Sequence, residues 1–206
     1  MHRPHRKRTT VDEYLRAEER RTIRHEYYRG EVYAMSGGTA RHSQIAANVI
    51  TYLGIAARGT RCRVFTSDFK VQPSDDAVYY PDVSVVCAPQ DGAAVLTNTP
   101  CVVVEVTSRG TARIDRGEKA EEYRTCPTLR AYLIVDQYRR RVTNHWRDAN
   151  GAWQEQEFHD AGSVPIPCPQ AELTLDQIYE SVEMPPLRVG ESEPEVEEDD
   201  YVLEDG

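Results

Sequence analysis

Two valine-rich runs stand out from an otherwise polar chain. Residues 80–86 read Tyr80-Pro81-Asp82-Val83-Ser84-Val85-Val86, and residues 102–107 read Val102-Val103-Val104-Glu105-Val106-Thr107. Both are short, β-branched and bounded by turn residues, the pattern of buried strands. Ala131 to Val135 is a third apolar strand. Elsewhere the period changes. Ile45, Val49, Tyr52, Leu53 and Ala56 recur at helical spacing, predicting a helix from a cap at Thr39 or Ser43 to about Ala57, stopped by Gly59. Ile23 to Tyr28 and Val32 to Met35 read as a hairpin around Arg29-Gly30. Ser108 to Thr111 turns into a helix reaching Cys126, where Pro127 ends it. Val142 to Trp146 and Trp153 to Phe158 form a second hairpin around Asp148-Ala149-Asn150-Gly151. Short helices are predicted at Val11 to Arg20 and Leu173 to Ser181, and short strands at 63–65 and 68–72. A turn is expected at 73–76 and a loop from Pro89 to Pro100. This order of elements predicts an α/β sandwich, a mixed central β-sheet flanked by helices.

At 206 residues the chain fits one domain with tails. Its net charge of −9 is unevenly spread. Residues 190–206 hold nine acids and neither Lys nor Arg; without them 25 acids face 25 bases. Residues 1–9 carry Arg3, Arg6, Lys7 and Arg8. The expected organisation is a disordered basic arm (1–9), one domain (10–189) and a disordered acidic tail (190–206). No apolar run reaches the length of a membrane span and no signal-peptide core follows Met1, so no membrane partner is expected. The five cysteines, 62, 87, 101, 126 and 168, include no CxxC pair. Two of them lie in the valine-rich strands, so free buried thiols and a reducing, cytoplasmic setting are expected.

Asp82 and Glu105 carry the candidate chemistry. A carboxylate in a buried strand is costly unless paired. Two of them on neighbouring strands point to a shared partner, and a divalent cation is the simplest. Bland readings exist for both: an Asp solvated at a turn, and a Glu paired with Arg. Ten residues past Glu105, Asp115-Arg116-Gly117-Glu118-Lys119 begins a polar helix with one lysine. Only three of the 25 bases are lysine, so an ammonium here departs from the chain's habit. No P-loop, GxSxG or GxGxxG motif is present, and the scattered His and Cys residues match no structural zinc spacing.

These residues carry a resemblance. The ordered set is Gly30-Glu31, His42 early in the long helix, Pro81-Asp82, Val104-Glu105-Val106 with Ser108, Asp115 to Lys119 with Tyr123, and Ala131 to Asp136. In this order and spacing, the chain resembles the Uma-type putative restriction endonuclease family of the PD-(D/E)XK nuclease superfamily. The resemblance implies a restriction-endonuclease-like fold and a metal-dependent endonuclease hydrolysing DNA phosphodiester bonds. It implies Glu31, Asp82, Glu105 and Lys119 as catalytic residues, with Asp82 and Glu105 holding Mg²⁺ or Mn²⁺. His42, Arg41 and Arg109 are implied as DNA or supporting contacts. The superfamily lysine stands two residues after the Glu, where this chain has Thr107; Lys119 would replace it from the next helix. Symmetric cutting of two strands suits a homodimer. The competing reading is a non-catalytic module that binds nucleic acid or protein on the same fold.

Overall fold

The computed structural model describes residues 8–35, 37–108 and 111–185. The chain opens with α1 (Val11–Glu18), β1 (His25–Tyr28), β2 (Glu31–Ala34) and α2 (Ala40–Ala57). Five short strands follow: β3 (Arg63–Thr66), β4 (Lys70–Ser74), β5 (Ala77–Tyr79), β6 (Val83–Val86) and β7 (Leu96–Thr97). Next come β8 (Val102–Thr107) and a composite helix: α3 (Ala112–Ile114), a π-helical turn (Asp115–Lys119) and α4 (Ala120–Thr125). The chain continues through β9 (Ala131–Asp136), β10 (Arg141–Arg147), β11 (Trp153–His159), β12 (Ser163–Pro167) and β13 (Gln170–Thr174) to α5 (Leu175–Ile178).

The central sheet has six strands in the order β11-β10-β9-β8-β6-β3. It is mixed: β8 and β9 pair in parallel, and every other pair in it is antiparallel. A second sheet runs β2-β1-β5-β4-β7, and β12 and β13 form a separate hairpin. The expected single sheet is therefore divided, while the α/β class and the flanking helices hold.

Strand alternation assigns the two faces of the central sheet. Val83, Val85, Val102, Val104, Val106, Leu133 and Val135 pack with Ile45, Val49 and Leu53 of α2 and with Leu173 and Ile178 near the C-terminus. Val103, Tyr132 and Ile134 face the other way, onto Ala120 and Tyr123 of α4 and onto Val71 and Tyr79 of the second sheet. Glu105 shares the parity of Val103, so its carboxylate enters the layer between the central sheet, the composite helix and the second sheet. This position decides its chemistry.

The β1–β2 hairpin forms where expected. Arg29 and Gly30 take φ of +47° and +91°, the left-handed pair of a two-residue hairpin turn. A Cβ on Gly30 would come within 2.6 Å of the Arg8 Cβ, because the incoming chain crosses this turn. Thr9 N–H donates to the Gly30 carbonyl at 3.0 Å. Arg8 and Thr9 are thus part of the folded body, which shortens the expected arm. The rest of that arm, residues 1–7, and the acidic tail lie outside the described residues.

Four strands, β5, β7, β12 and β13, escaped the sequence pattern. The turn expected over 73–76 is confined to Asp75 and Asp76, with β4 running through Ser74 and β5 beginning at Ala77. The short β7 lies inside the expected loop. The β12–β13 hairpin carries Pro165 and Pro167, which hid its strand character. The cysteine expectation is corrected as well. Cys62 is joined to Cys87, and Cys101 to Cys168, by disulfides; Cys126 alone among the described cysteines is a free, buried thiol. Register places these pairs, and register is not readable from spacing. No helix among the described residues is long and apolar enough to cross a membrane.

Candidate active site

A cavity of about 290 Å³ opens beside the ends of β6 and β8. Its walls include Glu26, Tyr33, His42, Asp82, Glu105, Asp115 and Lys119. The four carboxylates come from four separate segments: β1, the residue ahead of β6, the middle of β8, and the π turn.

Lys119 is at the centre of this cluster. It is 4 % exposed, and its Nζ donates to Glu26 Oε1 at 2.9 Å and to Glu105 Oε1 at 3.1 Å. Asp115 Oδ1 lies 3.7 Å away, and the Tyr79 ring face 5.3 Å away. Asp115 and Lys119, four residues apart in the π turn, lie on one inward face and are both buried. Tyr132 O–H donates to the Asp115 carbonyl at 2.9 Å and pins the start of the turn to β9.

Two further donors orient Glu26 and Glu105. Tyr123 O–H donates to Glu105 Oε1 at 3.2 Å, and Tyr80 N–H donates to Glu26 Oε1 at 3.1 Å. Burial, reinforced by Glu105, raises the Tyr123 phenol well above its ordinary range, so it stays a donor. Asp82 is held differently. Its Oδ2 accepts Val106 N–H at 2.7 Å, which ties the entry of β6 to β8. The same oxygen lies 3.2 Å from His42 Nε2. His42 is in the first turn of α2, capped by the Thr39 hydroxyl, which accepts His42 N–H at 3.1 Å. A Cβ on Gly38 would come within 2.8 Å of His42 Nδ1, so glycine there lets the chain pass the imidazole.

The electrostatics favour a cation. Burial raises Glu105 well above the ordinary carboxylate range; Lys119 draws it back, while Asp115, Asp82 and Glu26 push it further up. Burial likewise raises Asp115 to about 6, against the pull of Lys119. Burial opposes the charge on Lys119 too, but Glu105, Glu26 and Asp115 more than offset it and hold the ammonium well above the lysine range. Lys119 therefore stays protonated, and three acids compete for one positive charge. In His42, burial opposes protonation and the Asp82 carboxylate outweighs it, raising the imidazole. Asp115 Oδ1 is buried with no hydrogen-bond partner. Surplus carboxylate charge, an orphaned buried oxygen and an all-oxygen donor set fit a hard divalent ion.

Asp82, Glu105 and Lys119 thus share one cavity, as the sequence suggested, with His42 bonded to Asp82. Glu31 is placed elsewhere. It is exposed on β2, accepts a hydrogen bond from Tyr33 O–H, and reaches the cavity only through that phenol. The inward acid of the hairpin is Glu26, opposite Tyr33 in the β1–β2 register. Both acids share one face of the hairpin; Glu31, paired with Tyr28, stands two residues nearer the turn than the Glu26–Tyr33 pair, at the outer end of the ladder. Arg41 is also apart from the cavity, donating to the Glu183 carbonyl at 2.9 Å. Arg109 lies outside the described residues. Glu122 is not a solvated helix acid: it is buried, receiving the Ser74 hydroxyl at 2.8 Å and Arg29 at 3.3 Å.

Sequence reasoning missed Glu26, Asp115 and Tyr123 as members of the cluster. Glu26 did carry a signal, an acid inside a short strand flanked by His25 and Tyr27. Asp115 and Tyr123 each stand four residues from Lys119, a spacing visible in sequence as a solvated helix pair; packing against the strands is what buries them in the site.

Comparison with known proteins identifies the fold and the family. Two curated Synechocystis sp. (strain ATCC 27184 / PCC 6803 / Kazusa) proteins are similar to the chain. One, uncharacterized protein slr1290, is 34% identical over 170 residues, covering 82% of this chain and 90% of its own. The other, uncharacterized protein sll1609, is 29% identical over 148 residues, covering 70% and 84%. A solved structure from Anabaena variabilis ATCC 29413, a putative nuclease belonging to DUF820, shares the fold. Its TM-score is 0.69 at 16% identity, over 82% of this chain and 97% of that one. The fold is therefore restriction-endonuclease-like. A family model spans residues 11–177, from the start of α1 into α5, and with it the whole cavity. The chain belongs to the Uma2 family, described as putative restriction endonuclease.

Proposed function

We propose that this protein is a metal-dependent endonuclease that hydrolyses DNA phosphodiester bonds, with Mg²⁺ or Mn²⁺ as its cofactor. The observation that carries the reading is one cavity shared by Asp82 and the buried acids Glu26, Glu105 and Asp115, the last three gathered around the Lys119 ammonium. Asp82 and Glu105 would hold the ion, and the orphaned Asp115 oxygen is a further donor within the cavity. When bound, such an ion makes water a better nucleophile and offsets charge building on the phosphorus oxygens.

The chain's own groups supply the rest. Lys119 cannot act as a base while its carboxylate neighbours keep it protonated. Its role is a fixed positive donor, aimed at a phosphate oxygen or at the attacking water. Glu26 positions that ammonium and is itself fixed by the Tyr80 amide. Tyr123 holds Glu105, and His42 with the Val106 amide holds Asp82. Glu31 would act only through Tyr33, as an outer acid at the cavity mouth. A homodimer suits symmetric cleavage of both strands. A cytoplasmic location stays part of this reading, although the two disulfides remove the free-thiol argument for it.

Calorimetric titration with Mn²⁺ tests the reading. Wild type is expected to bind Mn²⁺, with binding lost in Asp82→Ala and in Glu105→Ala. If wild type binds neither Mn²⁺ nor Mg²⁺, the protein is a non-catalytic module on this fold.

A further inference from the structure

Four of the five cysteines meet at the end of the central sheet remote from the carboxylate cavity. Cys62 precedes β3, Cys87 follows β6, Cys101 precedes β8, and Cys168 is in the turn between β12 and β13. The strand ladder brings the first three together. Arg63 lies opposite Val86 in the β3–β6 pair, so the next residues outward, Cys62 and Cys87, are neighbours. Cys101 N–H donates to the Val85 carbonyl at 2.7 Å, locking the start of β8 to the same end of β6. Asp82 is at the opposite end of β6, and Glu105 is four residues up β8. At about 3.3 Å per strand residue, roughly 15 Å separates the two clusters.

The structure joins these cysteines as Cys62–Cys87 and Cys101–Cys168. The two bonds are not separate features. The Sγ atoms of Cys87, Cys101 and Cys168 all lie within 4.8 Å of one another, and Cys62 is bonded to the first of them. Two independent staples need no such convergence, whereas four sulfurs sharing one ligand do. Sulfurs around tetrahedral zinc, each about 2.3 Å from the ion, sit about 3.8 Å apart. Cys62 is buried and the other three are half-buried, so reductant and metal both have access. The Arg63 guanidinium folds onto the Cys62 carbonyl at 2.9 Å, placing positive charge beside a group that would carry a net negative charge.

We propose that, in the reduced protein, Cys62, Cys87, Cys101 and Cys168 form a tetrathiolate site for one Zn²⁺, separate from the carboxylate cavity. Each disulfide takes two electrons and two protons from a dithiol reductant, which is itself oxidised to a disulfide. The four thiols then release up to four protons to solvent as they bind the ion. Soft thiolate ligands select Zn²⁺ over Mg²⁺, so the two sites take different metals. The ion would fasten β3, β6 and β8 to the β12–β13 hairpin and brace the strands that present Asp82 and Glu105. The site does not depend on the nuclease reading.

The test uses the full chain, reduced with a phosphine, freed of metal and titrated anaerobically with Co²⁺. Thiolate ligation gives a near-ultraviolet sulfur-to-cobalt charge-transfer band; Co²⁺ on the oxygen donors of the carboxylate cavity gives none. The expected result is a band that saturates at one equivalent and is abolished by one equivalent of Zn²⁺ but not by excess Mg²⁺. It should persist in Cys126→Ser and in Glu105→Ala, and be lost in the Cys101→Ser/Cys168→Ser double variant, with folding checked by circular dichroism. If the double variant does not fold, the wild-type stoichiometry decides. Reduced wild type without a thiolate band, or a band that survives in the folded double variant, overturns the proposal.

Discussion

Lys119 has no counterpart among the side chains around it. Its ammonium contacts Glu26, Glu105 and Asp115, and the nearest residue to the superfamily lysine position, Thr107, is buried and carries no charge. Removing it leaves three buried carboxylates without a counter-charge. Lys119→Ala is therefore expected to destabilise the metal-free protein by about 3 kcal/mol, part of it relieved as the acids take up protons. DNA cleavage should fall at least 100-fold at a temperature where circular dichroism shows the variant folded, a loss of about the size seen when one charge-stabilising donor is removed. Lys119→Arg should rescue poorly, because a planar fork does not fit a pocket shaped for a point charge. Near-wild-type cleavage by Lys119→Ala would make the lysine structural only. Glu118, its neighbour, makes a second prediction. Burial, with help from Glu26, raises its carboxyl to about 7 from an ordinary 4.5. The folded state then binds this proton more tightly than the unfolded state between those values. That contribution is present at low pH and lost as pH rises through about 7. Glu118→Gln should raise the melting temperature of the chelated protein more at pH 8 than at pH 5, by a difference of roughly 2 °C, since solvent screens this half-buried group. An equal change at both pH values would contradict the assignment.

At the scale of elements, the two valine strands were readable because burial on both faces leaves a nearly continuous apolar run. Their acids were readable for the same reason: Glu105 is the one charged residue in the β8 run. Glu31 shows the limit of that reasoning. A glycine-acid pair at a turn is visible in sequence, but Glu31 and Glu26 share one face of the hairpin, and position along the ladder is what brings Glu26 to the cavity. Prolines concealed β12 and β13, and the two-residue β7 is too short to leave a pattern. The π turn left no sequence signature, yet it faces Asp115 and Lys119 inward together. Gly117 within it is open: a Cβ there would meet nothing within 4 Å, and its φ is not in the left-handed region. Gly117→Ala should thus stabilise the protein by roughly 0.5–1 kcal/mol in urea denaturation, through lower unfolded-chain entropy and better helix propensity. Loss of stability on this substitution would mean that the turn needs the glycine's freedom.

For the whole molecule, the fold places the cavity where three layers meet: the central sheet, the composite helix and the second sheet with α1. The central sheet was legible from periodicity; of the second sheet only the β1–β2 hairpin and β4 were, because β5 and β7 are very short and the pairings β1–β5 and β4–β7 join segments distant in sequence. The convergence of Glu26, Asp82, Glu105 and Asp115 is a product of that topology, and so is the cysteine cluster at the other end of β6 and β8. The carboxylate cavity is proposed as a metal-dependent nuclease centre. Cleavage of supercoiled plasmid by the purified full chain tests it most directly, with Mg²⁺ or Mn²⁺, with chelator, and with Glu105→Gln. Nicking or linearisation is expected with either metal, none with chelator, and a rate at least about 100-fold lower for Glu105→Gln. Wild type that leaves the plasmid intact with both metals, or Glu105→Gln that cuts as fast as wild type, would contradict it.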